Sequence, residues 1–301
     1  MKNLSGLTSI FLCSLMIAFS PIVGKISVGV VLPALLVLLS AIIATAFFMP
    51  WVIKNNQLKV LFARKTLLQF FTIGTFGTAL MFTVLLIALK YTTPANAAVL
   101  QQSEMVYSLI FAYFLFKEKP TVKQLAGTAL IILGVTVLLI NGRFSLNLKG
   151  DLLIIGSTWM LQLSASVAKR LPKELDYKLI STARNVFAIP VMIVVVLVHW
   201  RSGGSLFLTP NIKFWGVLAY TGIFKYALAM IFWYIALRKL DLAKMTALYL
   251  SYPVLTFAFS VLLGFDKIEI HKVIGLALTM IGVYLMTITV NAKTNKLRIK
   301  N

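Results

Sequence analysis

The sequence is short of almost everything a water-facing surface is made from. Of its 301 residues only 12% are charged, about half the share usual in soluble domains. Eight are Asp or Glu, scattered along the chain, two are His and one is Cys. The lone Cys13 excludes a disulfide or a cysteine metal cluster within one chain. His199 and His271 sit at the edges of apolar runs and read as interfacial side chains. Nothing points to a cofactor. A membrane-embedded prenyl or acyl transferase, the alternative reading, needs clustered Asp, a His–Asp motif or a reactive Cys at a membrane face. The scattered acids and a Cys inside an apolar run supply none of these.

What is present is apolar length. The chain is 60% hydrophobic, with a mean hydropathy of +0.93. Ten runs long enough for spanning helices follow one another, at about 7–23, 28–53, 67–89, 94–116, 124–140, 151–168, 179–200, 214–237, 242–265 and 273–290. A signal peptide competes for the first run. No small-residue cleavage site follows it and the next run begins at once, so it reads as a retained helix. A net charge of +21 suggests nucleic acid in a soluble protein. Here the basic residues sit in the links between runs, so no nucleic-acid partner is expected and the charges report membrane orientation.

The chain repeats itself. The stretch from Ala88 to Leu138 recurs without a gap from Ala236, at a shift of about 148 residues. Ser103 falls on Ser251, Lys119 on Lys267, Gly127 on Gly275 and Gly134-Val135 on Gly282-Val283, with Glu118 opposite Asp266. Runs one and six match at a shift of about 144, with Gly6 on Gly150, Ser20 on Ser164 and Lys25 on Lys169. Residues 1–141 thus form a first repeat and 150–291 a second. A basic tail, 292–301, is expected in the cytoplasm.

With the N-terminus inside, about 19 Lys and Arg fall on the cytoplasmic side and about 8 outside. Both termini are therefore expected in the cytoplasm. Five helices per repeat is an odd number, so the second copy enters the membrane from the opposite side. The expected fold is all-α, ten transmembrane helices as two inverted-topology five-helix repeats.

Three charges lie inside the runs. Glu104 and Lys225 are each about ten residues from a run end, near the bilayer midplane. A charge at that depth needs a partner or a wet cavity. The two either meet a charged substrate group or a coupling proton, or pair with each other to hold helices four and eight. Arg184 is nearer its run's start and reads as snorkelling to the cytoplasmic interface. Gln101 shares a helical face with Glu104, and Gln102 and Ser103 stand beside it. Tyr252 and Pro253 occupy the matching place in the second repeat, where Pro253 is expected to kink the helix. Asn96, Gln162 and Asn185 offer polar lining, and Trp159 an aromatic wall. The paired glycines of helices five and ten, seven residues apart, read as helix-packing positions.

Tandem five-helix halves, each with a small acidic link (FKEKP, GFDKI) leading into a glycine-spaced helix (QLAGTALIILGV, KVIGLALTMIGV), resemble the drug/metabolite transporter superfamily, in particular its EamA type. Ser251-Tyr252-Pro253-Val254 resembles the proline-containing centre of helix nine in that type, whereas the first copy has Glu104-Met105 and no proline. The resemblance implies an exporter or importer of small metabolites, amino acids, related solutes or drugs in the inner membrane, with export the expected direction. Helices one, three, four, six, eight and nine would surround a cavity, with five and ten peripheral. Substrate-contacting or coupling residues would come from Glu104, Lys225, Gln101, Tyr252, Gln162, Asn96 and Trp159. Partners would be a small-molecule substrate, the lipid bilayer and, as a homodimer, a second copy of the chain. Helix one carries no acid, so the carboxylate that small multidrug-resistance relatives use there has no counterpart.

Overall fold

The structure, a computed structural model, describes residues 5–116, 120–140, 148–172, 174–239, 249 and 252–298. Helices follow the ten apolar runs. They are α1 (Gly6–Ser27), α2 (Pro33–Lys54), α3 (Arg64–Ala88), α4 (94–116), α5 (Val122–Ile140), α6 (Leu148–Lys169), α7 (Tyr177–Arg201), α8 (212–239), α9 (Tyr252–Leu262) and α10 (Ile270–Arg298). Among the described residues no strand forms; Val31 and Leu208 make one isolated antiparallel bridge. The expected start of helix nine, residues 117–119 of the FKEKP link and most of the inter-repeat link lie outside the described residues.

Local chemistry sets the ends and the breaks. Pro33 and Pro94 stand at the first positions of α2 and α4, where a missing N–H costs nothing. Ser5, Thr93, Asp176 and Asn211 cap α1, α4, α7 and α8 with their side chains. α1 is interrupted at Phe19, just before Pro21, whose ring cannot accept the preceding turn's geometry. The described part of helix nine runs over Tyr252–Leu262, and residues 250 and 251 just ahead of it, where the kink expected from Pro253 falls, lie outside the described residues. α10 continues helically to Arg298, through most of the basic tail.

Three helices depart from uniform α geometry. α4 tightens to a 3₁₀ turn at Gln101–Ser103. α3 widens to π geometry over Thr75–Leu80, and α8 over Tyr220–Ala229. Extended back along the chain, the 148-residue shift places Gly74 on Gly222, Phe76 on Phe224, Ala79-Leu80 on Ala227-Leu228 and Ala88 on Ala236. The two π segments are thus the same place in the two repeats. π turns inside α-helices concentrate at functional sites.

Packing interleaves the repeats. One compact unit holds residues 1–22, 91–158 and 232–301, the other 23–90 and 159–231. In the first, α5 and α10 cross at their glycines. A Cβ on Gly134 would stand 2.7 Å from the Gly275 carbonyl oxygen, and one on Gly282 2.6 Å from that of Gly127. These two contacts are each other's repeat images, and glycine is what lets the backbones meet. α9 is fastened by Thr256, which donates to the Ala18 carbonyl at 2.8 Å, and by Phe259 stacked on Phe19 at 4.4 Å. The N-terminus of α4 is clamped by Asp266. Its carboxylate accepts from the Ala95 N–H at 3.2 Å and from Ser260 at 2.5 Å, and pairs with Lys272 at 3.1 Å.

In the second unit α7 lies against α2 and α3, and α8 against α2. A Cβ on Gly74 would meet the α7 backbone at 2.9 Å, and one on Gly222 the Ile43 side chain of α2 at 2.8 Å. The same glycine of each repeat therefore seats helix three on seven and helix eight on two. Ser40 and Thr221 bond across α2 and α8 at 2.7 Å. Outward faces carry bare apolar side chains, among them Leu68 at 75% exposed, Phe114 at 65% and Leu262 at 79%. A surface of this kind is covered by lipid.

Candidate functional site

Two buried cations lie in the second unit, on α7 and the second π segment. Arg184 is 9% exposed and Lys225 6%. Arg184 does not snorkel to an interface as its position near the helix start suggests. Its Nε donates to Thr78 Oγ1 at 2.5 Å, one terminal nitrogen to the Gly77 carbonyl, and the other to the Met230 sulfur at 2.9 Å. Thr78 and Gly77 belong to the first π segment, and Met230 follows the second. The partners that hold Arg184 down are more than 40 residues away in sequence.

The next residue on α7 serves the other segment. Asn185 donates through Nδ2 to the Tyr226 carbonyl at 3.4 Å and to the Ser181 carbonyl at 2.9 Å. Each π segment thus gives a backbone carbonyl to α7, Gly77 to Arg184 and Tyr226 to Asn185. Exposed backbone at this depth has to be satisfied by protein, and α7 does so on both sides. Gly77 has no room for a side chain, since a Cβ there would strike Ser164 of α6.

Lys225 lies one residue before Tyr226. Its Nζ stands 4.1 Å from the centroid of the Phe82 ring and 5.7 Å from that of Tyr226. The Arg184 guanidinium faces the same Phe82 ring at 5.7 Å. Phe82 and Tyr226 stack at 5.1 Å. Ring faces attract cations, while the two like charges that share this ring repel each other. Trp159 packs on Phe76 at 5.6 Å, and half-buried Gln162 lies one turn beyond Trp159 on α6.

The polar cluster of α4 belongs to the first unit. Its 3₁₀ turn changes which glutamine faces inward. Gln101 is half-buried and donates to the Ala97 carbonyl of its own helix at 3.2 Å. Gln102 is buried and donates through Nε2 to the Ala98 carbonyl at 3.4 Å, the same oxygen that accepts from the Tyr252 phenol at 3.3 Å. Glu104 is half-buried and acts electrostatically on the same phenol. Ser103 bonds Thr158 of α6 at 3.0 Å, and Tyr249 packs on Tyr252 at 5.3 Å. Asn96 Oδ1 is buried without a hydrogen-bond partner among the described residues.

Of the residues the sequence singles out, Lys225 lies in the second unit and Glu104 and Tyr252 in the first. Phe82 and Thr78, which face Lys225 and Arg184, carry no signal in the sequence. Among the described residues, no group of three or more His, Cys, Asp or Glu could hold a metal ion.

Among the described residues six helices are long and apolar enough to cross a membrane, and three shorter apolar helices accompany them, which defines a polytopic membrane protein. The chain belongs to the EamA-like transporter family, whose sequence model matches it twice, over residues 4–140 and 148–288. It is 26% identical over 236 residues to the uncharacterized transporter YyaM of Bacillus subtilis (strain 168), covering 77% of this chain and 75% of that one. An uncharacterized transporter of Clostridium kluyveri is 23% identical over 302 aligned positions, covering 97% of this chain and 96% of its own. A protein of known crystal structure shares the fold at a TM-score of 0.66 and 19% identity, over 94% of this chain and 96% of that one. The chain is a membrane transporter built as two inverted-topology five-helix repeats.

Proposed function

We propose that the chain moves small metabolites, amino acids or related solutes, across the cytoplasmic membrane by alternating access, in the direction of export and with both termini in the cytoplasm. The observation that carries this reading is the pair of π segments. They stand at the same place in the two repeats, and adjacent residues of α7 hold one carbonyl of each. Inverted repeats have two equivalent arrangements, one open to each side, and exchange between them moves a solute bound at their interface. Irregular backbone at membrane depth is tolerated where it lines a cavity or is buried in protein.

In this reading Lys225 and Glu104 meet charged groups of the substrate or the coupling ion. Gln101, Tyr252, Asn96 and Gln162 supply polar contacts and Trp159 an aromatic wall. The test is a comparison of metabolites inside and outside cells that lack or overproduce the protein. The reading expects particular small solutes to leave overproducing cells faster. Identical profiles in both strains, with the protein inserted, would remove it.

A further inference from the structure

We infer that Arg184 and Lys225 form an oxyanion seat, and that the cargo is a small organic anion whose carboxylate or phosphate the pair holds. The inference rests on the transport role proposed above and adds the substrate's chemical class. A buried cation at membrane depth needs a counter-charge. The second compact unit contains two acids, Glu174 and Asp176, both in the link before α7. Asp176 caps α7, accepting from the Lys178 N–H at 2.7 Å. The ion pairs among the described residues join Lys272 and His271 to Asp266 and Glu269, on the other unit.

Donors remain on both cations. Arg184 engages three N–H groups, leaving two of its five. Lys225 touches the ring faces of Phe82 and Tyr226, and no acceptor among the described residues bonds its ammonium. Two buried hydroxyls, on α7 and α3, have no hydrogen-bond partner among the described residues. Ser181 Oγ is one turn before Arg184, and Thr75 Oγ1 one turn before Thr78. The guanidinium is fixed in place by α3 and α8, as planar recognition of an oxyanion requires.

The experiment is thermal unfolding of the purified full chain in detergent and a halide-free buffer, titrated with benzoate, phenyl phosphate, benzamide or benzylamine. The expected result is a rise in Tm with benzoate, phenyl phosphate or both, and none with the amide or the amine. Benzoate alone assigns a carboxylate cargo and phenyl phosphate alone a phosphate ester. Lys225→Met should weaken the effective anion about tenfold or more, and Lys225→Arg should retain it. Arg184→Gln risks misfolding because Arg184 ties α7 to α3, so the lysine variants carry the test. No shift with either anion, equal shifts with all four probes, or a full shift in Lys225→Met would overturn the inference. Anion binding without flux in proteoliposomes would leave the seat and remove the transport role. Flux of a neutral or cationic solute without anion binding would do the reverse.

Discussion

Gly77 and Lys225 occupy the same place in the two repeats, 148 residues apart and each within a π segment. In the first copy the position is stripped of a side chain, and its carbonyl accepts from Arg184. In the second it carries an ammonium against the Phe82 ring. Duplication kept the backbone device and let the chemistry diverge, so a symmetric frame holds an asymmetric set of charges.

A side chain at position 77 should be costly. A Cβ there meets Ser164 and comes within 3.6 Å of the Arg184 guanidinium. Gly77→Val is expected to destabilise the protein by about 1–3 kcal/mol, read as a lower Tm in detergent. Gly77→Ala combined with Ser164→Gly should recover most of the stability of the wild type, because the obstructing side chain is gone.

The Asp266 clamp predicts a loss of stability away from the buried cations. Asp266→Ala removes the acceptor for Ala95 N–H and Ser260 and leaves buried Lys272 with Glu269 at 3.4 Å. Removing one partner of a buried pair costs about 3 kcal/mol. Unfolding by heat or denaturant should show that fall, while the anion-induced Tm shift persists in the folded fraction.

Gln102 and Tyr252 should be energetically coupled. A double-mutant cycle with Gln102→Leu and Tyr252→Phe is expected to give about 1 kcal/mol of interaction in thermal stability. Additive effects would mean that the shared Ala98 acceptor does not couple the two side chains.

Hydropathy made the ten helices legible, because apolar length needs no knowledge of partners. The glycine spacing of α5 and α10 was legible for the same reason: a repeated small residue marks a helix contact wherever the partner is. Arg184 was not. Its depth follows from Thr78, Gly77 and Met230, and only folding brings these to α7. Gln101 drew attention on α-helical spacing, and the 3₁₀ turn presents Gln102 instead. The π segments leave no trace in hydropathy. Their equivalence emerges only when the 148-residue shift is carried back through α3 and α8.

Orientation is open to direct labelling. Cys13 is buried in α1, so Cys13→Ser provides a background for single cysteines. Asn55 and Ser202 are exposed in the links after α2 and α7. A membrane-impermeant maleimide should label Ser202→Cys in intact cells, and Asn55→Cys only after permeabilisation. The opposite pattern would reverse the proposed topology.

The most direct test of the account is flux through the wild-type protein and Lys225→Met in matched proteoliposomes, with a solute found by metabolite profiling. Transport by the wild type and its loss in Lys225→Met are expected, with equal amounts of folded protein inserted. Undiminished transport by Lys225→Met would contradict the role proposed for Lys225.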